Sequence, residues 1–304
     1  MWELAYDEAN MSLPEPPATL SARLSALAQR LGFIGRGQRQ ILERASQLRL
    51  PFSPLPAPRE SICWQDGLQL QRLVDLPRNA LSGPVQEDKA QAHATLVRVI
   101  EAHEQPLSSL DMRRIEGVSS FNPEQAGYAS FEVFAASTSC RPVRIISYKD
   151  FVKTISLALP RFLAGDAISL RQANWRNNRL YWSGDHHAEA FACAIAYARM
   201  RGLEVNLPAI VSHYRLSDSG LDNLQQHYHV LAMPHAAWSE PAFMALLLDS
   251  GLPYARLSLL AGAGSPEFLL LPKHSAEATA LGEGLRLAGA PDVVAYLRQL
   301  NIQN

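Results

Sequence analysis

Residues 182–202, WSGDHHAEAFACAIAYARMRG, combine two adjacent histidines, a glutamate and a cysteine with a run of alanines. Apolar residues on nearly every side predict a largely buried helix over 185–201, because such a helix is stable only when other elements cover it. Ser183 or Asp185 would cap its first turn. On this interpretation the stretch is a structural element of the core.

The alternative interpretation is an active site at the start of that helix. His186, Glu189 and Cys193 share one face of a helical wheel. His186 and Cys193 are separated by about 10 Å along the axis, so the two side chains cannot bind one metal ion together. His186 and Glu189, at the exposed helix end, are the candidates for catalysis, while Cys193 is expected to be enclosed.

A second candidate is the sequence HYH, which contains His227 and His229. A β-strand would project both side chains to the same face. With a further histidine this pair would suit a metal ion. The alternative is that both histidines are surface or hydrogen-bonded side chains. We predict no bound metal and no cofactor, and retain as an alternative a histidine-based hydrolase or metal-dependent enzyme that uses His186, Glu189, His227 and His229.

The order of these motifs over residues 183–240 resembles the transglutaminase-like branch of the papain-type cysteine hydrolases. In that family a Gly-Asp-Cys turn places the nucleophilic cysteine at the start of a helix, and a histidine on a later strand shares its proton. The resemblance matches Asp185 to the turn and His227 or His229 to the family histidine. His186 stands at the position of the nucleophile, and the acidic partner has no match. The resemblance therefore implies a related hydrolase-like core that has lost thiol chemistry.

A third group of residues suits contacts with phosphates or with an acidic protein surface. Arginines are concentrated before residue 50, and the sequence NWRNNRLYW mixes aromatic and basic residues that can stack on bases. The alternative for NWRNNRLYW is a solvated hairpin tip with one buried aromatic face. The candidates for partner or nucleic-acid binding are Arg36, Arg39, Arg44, Arg49, Trp175 and Arg176.

The composition limits these functions. The chain has 304 residues, 47% of them apolar, and a net charge of -1 with a pI near 6.8. A protein dominated by phosphate contacts normally has a clear basic excess, so any nucleic-acid surface must be local. Three cysteines without CxxC spacing suggest neither a disulfide framework nor a zinc knuckle. Without a signal peptide or a membrane-spanning stretch, the expected location is the cytoplasm, with no membrane association.

The elements that must position these residues fall into two parts. Leucine spacing between residues 20 and 48 predicts two short amphipathic helices, and the proline-rich PFSPLPAP at 51–58 predicts a linker. We therefore expect a small, locally basic helical segment over 1–58 and a core domain over 59–304.

The core domain is predicted to be α+β, or alternatively α/β, with a mixed, mainly antiparallel sheet packed by helices. Strands are predicted at FEVFAAS and VRIISY, a helix at EDKAQAHATLVRVIEAHE, and a hairpin from AISLRQANW to RLYWSG that turns at RNN. Further strands are expected in LPAIVSHYRL, QHYHVLAMP, YARLSLLAG and EFLLLP. Helices are expected in KDFVKTISLAL, EPAFMALLLDS, SAEATALGEGLRLA and PDVVAYLRQL.

The preferred functional hypothesis is a non-catalytic cytosolic binding or adaptor protein that takes a protein partner. It follows from the missing nucleophile, the absence of a cofactor motif and the basic amphipathic segment before the linker. Two alternatives remain. The first is the enzyme described above, and the second is an RNA- or DNA-associated accessory protein that uses the N-terminal arginines.

Overall fold

The computed structural model describes residues 35–55, 57, 60–66, 68–119, 127–249, 251–258 and 266–302. Within these ranges the chain forms helices and two β-sheets, which confirms the predicted α+β class with mixed, mainly antiparallel pairing. The α-helices there are α1 (Arg36–Ser46), α2 (Gln86–Leu96), α3 (Phe131–Ala135), α4 (Tyr148–Ala158), α5 (Ala188–Arg201), α6 (Asp218–His227), α7 (Pro241–Leu248), α8 (Ala276–Leu287) and α9 (Val293–Ile302).

The strands of the described chain divide between a five-stranded and a four-stranded sheet. They are β1 (Leu81–Ser82), β2 (Ile100–Asp111), β3 (Ile115–Val118), β4 (Ile168–Ala173), β5 (Leu180–Trp182), β6 (Asn206–Leu216), β7 (Tyr228–Met233), β8 (Ala255–Leu257) and β9 (Glu267–Pro272). The orders are β2-β6-β4-β5-β3 and β1-β8-β9-β7. Pairing is antiparallel except between β3 and β5 and between β4 and β6.

Three clusters of buried side chains arrange these elements in layers. Helices α3, α4 and α5 pack on one face of the five-stranded sheet. The opposite face of that sheet shares a second cluster with the four-stranded sheet and with α2, α6 and α9. Helices α1, α7 and α8 cover the outer face of the four-stranded sheet. Among the described residues, no helix is both long and apolar enough to cross a bilayer.

The N-terminal basic segment is described only from residue 35 onwards. The first of its two predicted helices lies outside the described residues, and the second is α1. Ile41, Leu42 and Ala45 of α1 are buried against α8, where a Cβ added at Gly284 would lie 2.6 Å from the Cβ of Ala45. A glycine at 284 therefore lets the two helices touch. The division at residue 58 stays a prediction, although α1 itself packs into the core.

Predictions for the middle of the chain are wrong at three places. FEVFAAS contains helix α3, because Phe131 and Phe134 are both fully buried on one helical face and Ser130 caps its first turn. VRIISY is not a strand, and its last residue begins helix α4. The long helix predicted through VRVIEAHE ends at Leu96, and strand β2 begins at Ile100. Short apolar runs fit either period, so packing decided between them.

The predicted hairpin between β4 and β5 is present. Its two strands pair antiparallel, and Asn177 and Asn178 turn the chain with φ angles of 55° and 53°. Asparagine tolerates this left-handed region better than most residues do. The hairpin brings Trp175, Arg176 and Tyr181 into the interior.

Helix α5 is buried as predicted, but it begins three residues later than the predicted 185. His187 precedes it in the left-handed conformation, with φ 54° and ψ 41°, and no side chain caps the first turn. The caps predicted at Ser183 and Asp185 are therefore wrong, because the chain turns at His187 instead. His186 is exposed, whereas Ile195 and most of the alanines have almost no exposed surface.

We expect Ile195→Asp to destabilise the folded protein severely. Ile195 is fully buried, and an uncompensated buried charge costs about 3 to 5 kcal/mol against a total stability of about 5 to 15 kcal/mol. His186→Ala and Met200→Asp are the controls. The first alters an exposed residue, and the second places the same charge at a 73% exposed position of the same helix. Denaturant unfolding should rank Ile195→Asp far below both, and the reverse order would contradict the burial of this helix.

Candidate functional site

The turn before helix α5 does not assemble a catalytic group. His186 and His187 are exposed, and Glu189 is half-buried in the first turn of the helix. His187 has a backbone conformation that is uncommon for a residue with a side chain. Within the described part of the chain, the side chain of neither histidine forms a hydrogen bond or an ion pair with a catalytic partner, and both face solvent.

The cysteines beneath this turn are buried and close to each other. Cys193 of α5 and Cys140 share a hydrogen bond between their side chains, and both are free thiols. Burial is the main cause that raises the pKa of each thiol, and the charge of Glu189 adds to it. A raised pKa keeps the sulfur protonated and therefore a poor nucleophile. Cys193 is enclosed, as the sequence predicts, and its thiol does not supply the chemistry missing at His186.

The pair His227 and His229 is not displayed on one strand face. His227 is the last residue of helix α6, where its Nδ1 contacts the carbonyl of Asn223 at 2.8 Å. His229 lies in strand β7 with a buried side chain that contacts Gly282 of α8. The prediction of a shared strand face is therefore wrong, because α6 continues to residue 227 and the strand begins only at Tyr228.

His186 and Glu189 lie together at the start of α5, whereas His227 and His229 lie in other layers of the fold. Glu189 belongs to the helices that cover the five-stranded sheet, whereas His229 lies between the four-stranded sheet and α8. The described residues contain no group of three or more histidine, cysteine or acidic side chains able to hold a metal ion. Catalytic groups must come within hydrogen-bond or ligand reach of one substrate. This arrangement of His186, Glu189, His227 and His229 does not support their joint action.

Arg176 is buried beneath the hairpin and faces carbonyl groups. It is 6% exposed, and its guanidinium donates to the carbonyl oxygens of Cys63 at 3.0 Å and Trp64 at 3.2 Å. It also donates to the hydroxyl of Tyr181 at 3.0 Å. The guanidinium carbon lies 5.0 Å from the centre of the Tyr181 ring and 5.7 Å from that of Trp64. Backbone dipoles and aromatic faces thus take the place of a carboxylate partner.

Trp175 and Arg176 are both buried, so the structure does not place these two predicted nucleic-acid-binding residues on a surface. Trp175 is 2% exposed and packs in the cluster between the two sheets. Neither side chain is available to stack on a base or to contact a phosphate. The mixture of aromatic and basic residues in NWRNNRLYW reflects an internal cation–π arrangement, which sequence alone does not distinguish from a binding surface.

The arginines of helix α1 remain on the surface, as does Arg49 just after the helix. Arg36, Arg39, Arg44 and Arg49 are all exposed, and Arg39 forms an ion pair with Glu43 at 2.9 Å. The apolar face of α1 is covered by α8, so this helix presents only its polar face to a partner.

A second basic surface, not found in the sequence, lies along helix α4 and the segment before it. We call it the α4 surface and define it as the exposed cations and large apolar side chains between residues 141 and 157. The cations make no ion pair within the described ranges. The apolar members are 51% to 66% exposed. The set is Arg141, Arg144, Lys149, Lys153, Ile146, Tyr148 and Leu157.

A charge count would have found this surface. The sequence RPVRIISYKDFVK holds four basic residues and one acidic residue. The α4 surface is not predicted because VRIISY is expected to be a strand, since alternating β-branched residues are typical of half-buried strands. Asp150, the single carboxylate, is engaged in a capping box with Ser147 at the N-terminus of α4.

We expect Arg176→Met to destabilise the fold by about 3 to 5 kcal/mol. Methionine keeps much of the side-chain volume but removes the hydrogen bonds from the charged guanidinium to the carbonyls of Cys63 and Trp64, and a hydrogen bond to a charged group contributes about 1.5 to 3 kcal/mol. Denaturant unfolding measures the loss. Arg171→Met, at a half-buried position on the neighbouring strand, is the matched control. Equal stabilities of the two variants would contradict a structural role for Arg176.

The stability should also depend on His229. Burial and the nearby Lys273 and Arg286 lower the pKa of His229 to about 4, although Glu283 lies 3.8 Å away. That distance is too long for a hydrogen bond, and the Glu283 carboxylate is also shared with Arg286. Glu283 therefore does not raise the pKa of His229 enough to offset the effect of burial and the two cations. As pH falls from 6.5 to about 4, the unfolded chain binds a proton that the folded chain does not. The neutral, buried His229 therefore contributes about 3 kcal/mol to the free energy of unfolding above pH 6.5, and this contribution is lost as the pH falls toward 4.

The variant His229→Gln isolates this contribution. The difference in unfolding free energy between wild type and His229→Gln should shrink by about 3 kcal/mol between neutral pH and about pH 4. His227→Gln, at an exposed position, should leave the pH dependence of the wild type unchanged. If His229→Gln retains the full pH dependence of the wild type, His229 is not a buried neutral side chain.

Comparisons with known proteins add a family but no activity. A protein-family model described as a family of unknown function (DUF6685) matches residues 105–304. No curated protein and no solved structure matches the chain. The matched region begins within strand β2 and includes β3 to β9 and helices α3 to α9, which is well over half of the chain. The chain therefore belongs to DUF6685, a family whose function is unknown.

Proposed function

We propose that this chain is a non-catalytic binding protein that docks an acidic protein partner on the α4 surface. The observation that carries the proposal is the juxtaposition of four exposed cations, free of ion pairs among the described residues, with three exposed large apolar side chains. Unneutralised charge steers an oppositely charged partner, and exposed apolar area supplies the contact that holds it.

The arrangement of the cations along α4 favours an external acidic group. Lys149 and Lys153 are one helical turn apart on the exposed side, and like charges at this spacing repel by about 0.2 to 0.5 kcal/mol. Asp150 accepts hydrogen bonds from the amide and hydroxyl of Ser147 at 3.0 Å and 2.8 Å. The charge of Asp150 also attracts Lys153 and offsets part of this repulsion, and a carboxylate from a partner would relieve the remainder.

The apolar members extend the surface toward helix α5. Tyr148 stacks on Phe151 at 6.0 Å between ring centres, and Phe151 stacks on Tyr197 at 6.2 Å. Arg201 lies over the Tyr197 ring at 5.7 Å. Tyr148 is thus an exposed aromatic side chain supported by a fixed row of rings. Such preorganised aromatic residues are typical of the centres of protein interfaces.

The absence of catalysis is part of the proposal. Two features of the described chain support it: the layers that separate His186 and Glu189 from His227 and His229, and the raised pKa of both buried thiols near the turn. The resemblance to transglutaminase-like hydrolases and the cytoplasmic location stay predictions. The nucleic-acid alternative now rests on Arg36, Arg39, Arg44 and Arg49 without Trp175 and Arg176.

The experiment compares two charge reversals of equal size. Lys149→Glu with Lys153→Glu alters the α4 surface, and Arg36→Glu with Arg44→Glu alters helix α1. The probe is a fluorescent amphipathic peptide with glutamates on one helical face and leucines on the other, and anisotropy reports binding. We expect the α4 reversal to weaken binding about tenfold or more and the α1 reversal to leave it within about twofold.

A single-stranded RNA of mixed sequence serves as the second probe, at low and moderate salt. Phosphate contacts release counterions, so RNA binding would weaken steeply with salt. RNA binding that is lost in the α1 reversal, together with no peptide binding, would replace the proposal with the nucleic-acid alternative. Peptide binding that is unchanged by the α4 reversal would also overturn it. Equal melting temperatures of both variants would exclude unfolding as the cause.

A further inference from the structure

A cavity lies at the end of helix α4 opposite the start of the α4 surface. Its volume is about 450 Å³, within the range of about 300 to 1,000 Å³ typical of sites for small molecules. Its walls come from residues 158–162, from 166–169 at the start of β4, from 182–184 at the end of β5, and from Leu207. Four separate segments of the chain line the cavity, so it exists only when the tertiary structure has formed.

The walls of the cavity are apolar and fixed in place. Phe162, Ile168, Trp182 and Leu207 line it, and each is at most 8% exposed. The Trp182 ring stacks on Phe191 with 4.3 Å between ring centres and 10° between the planes. A Cβ added at Gly184 would lie 2.0 Å from the Trp182 ring. Phe191 and Gly184 therefore fix the position of the indole, and a ligand would meet a preformed aromatic wall.

The polar groups of the cavity balance in charge. Arg161 and Asp166 form an ion pair of 3.0 Å, with side chains 75% and 48% exposed. The hydroxyls of Ser169 and Ser183, which also line the cavity, have no hydrogen-bond partner among the described residues. One cation and one anion leave no net charge to select an ionic ligand. Two free hydroxyls beside apolar walls suit a molecule with an apolar body and a hydrogen-bonding group.

We infer that this cavity is a binding site for a small uncharged molecule that has an aromatic or other apolar body and at least one hydrogen-bonding group. The apolar body lies against Trp182 and Phe162, and Ser169 or Ser183 bonds the polar group. Burial of the apolar body supplies the affinity, and the hydroxyls orient the ligand. The cavity shares no residue with the α4 surface, although Ala158 of the cavity follows Leu157 of that surface, and the inference does not depend on the proposed partner.

The probe for this site is N-phenyl-1-naphthylamine, an uncharged aromatic amine whose emission rises in apolar surroundings. Titration of the full chain should give a saturable rise with one site per chain. Ala167→Trp places an indole at the exposed rim of the cavity and should weaken binding about tenfold or more. Ala236→Trp is the matched control at an exposed position in the 3₁₀ turn after β7 and should leave binding unchanged.

Further variants and a charged dye distinguish binding in this cavity from adsorption of the amine elsewhere on the protein. Ser169→Ala with Ser183→Ala should weaken the amine about fivefold without a change in melting temperature, because the walls remain intact. The sulfonated dye 8-anilinonaphthalene-1-sulfonate should bind more weakly than the amine. The α4 charge reversal should leave the titration unchanged, so failure here is distinguishable from failure of the partner proposal. No saturable binding, or equal binding by wild type and a folded Ala167→Trp, would overturn the inference.

Discussion

The buried guanidinium of Arg176 is the constraint on which the centre of the fold depends. A charge that is 6% exposed and unpaired within the described ranges is costly unless its donors are satisfied. Two of its acceptors, the carbonyls of Cys63 and Trp64, lie more than a hundred positions earlier in the chain. The segment 61–64 must therefore lie beside the β4–β5 hairpin. The amide of Val118 donates to the carbonyl of Ile62 at 2.7 Å, which ties the same segment to β3.

Helix α5 imposes the second constraint through its small side chains. Alanines along its length let the sheet and helices α3 and α4 approach closely, and Phe191 and Ile195 fill the remaining space. The same packing encloses Cys140 and Cys193 and raises the pKa of both thiols. A tightly packed interior leaves little room for a substrate, so the features that suit binding are found at the edges of this layer.

Helix α4 carries both of those features. Its first turns present the cations and the aromatic ring of the α4 surface, and its last residue lines the cavity. Phe151 and Ile155 are fully buried, so the helix is held rigidly on the sheet. The two sites use different physics. Long-range charge, screened by salt, governs one, whereas short-range apolar contact governs the other.

The sequence alone determined the α+β class, the hairpin with its asparagine turn, the strands β6 to β9, the helices α7 to α9, and the burial of helix α5. These features depend on local periodicity, turn chemistry and composition. The tertiary structure decided the rest. FEVFAAS forms a helix because Phe131 and Phe134 are buried on one of its faces. VRIISY is not a strand but the partly exposed segment that leads into α4. His227 and His229 separated because α6 continues up to the strand. Arg176 became internal because carbonyls distant in sequence surround it, and no local pattern records such a contact.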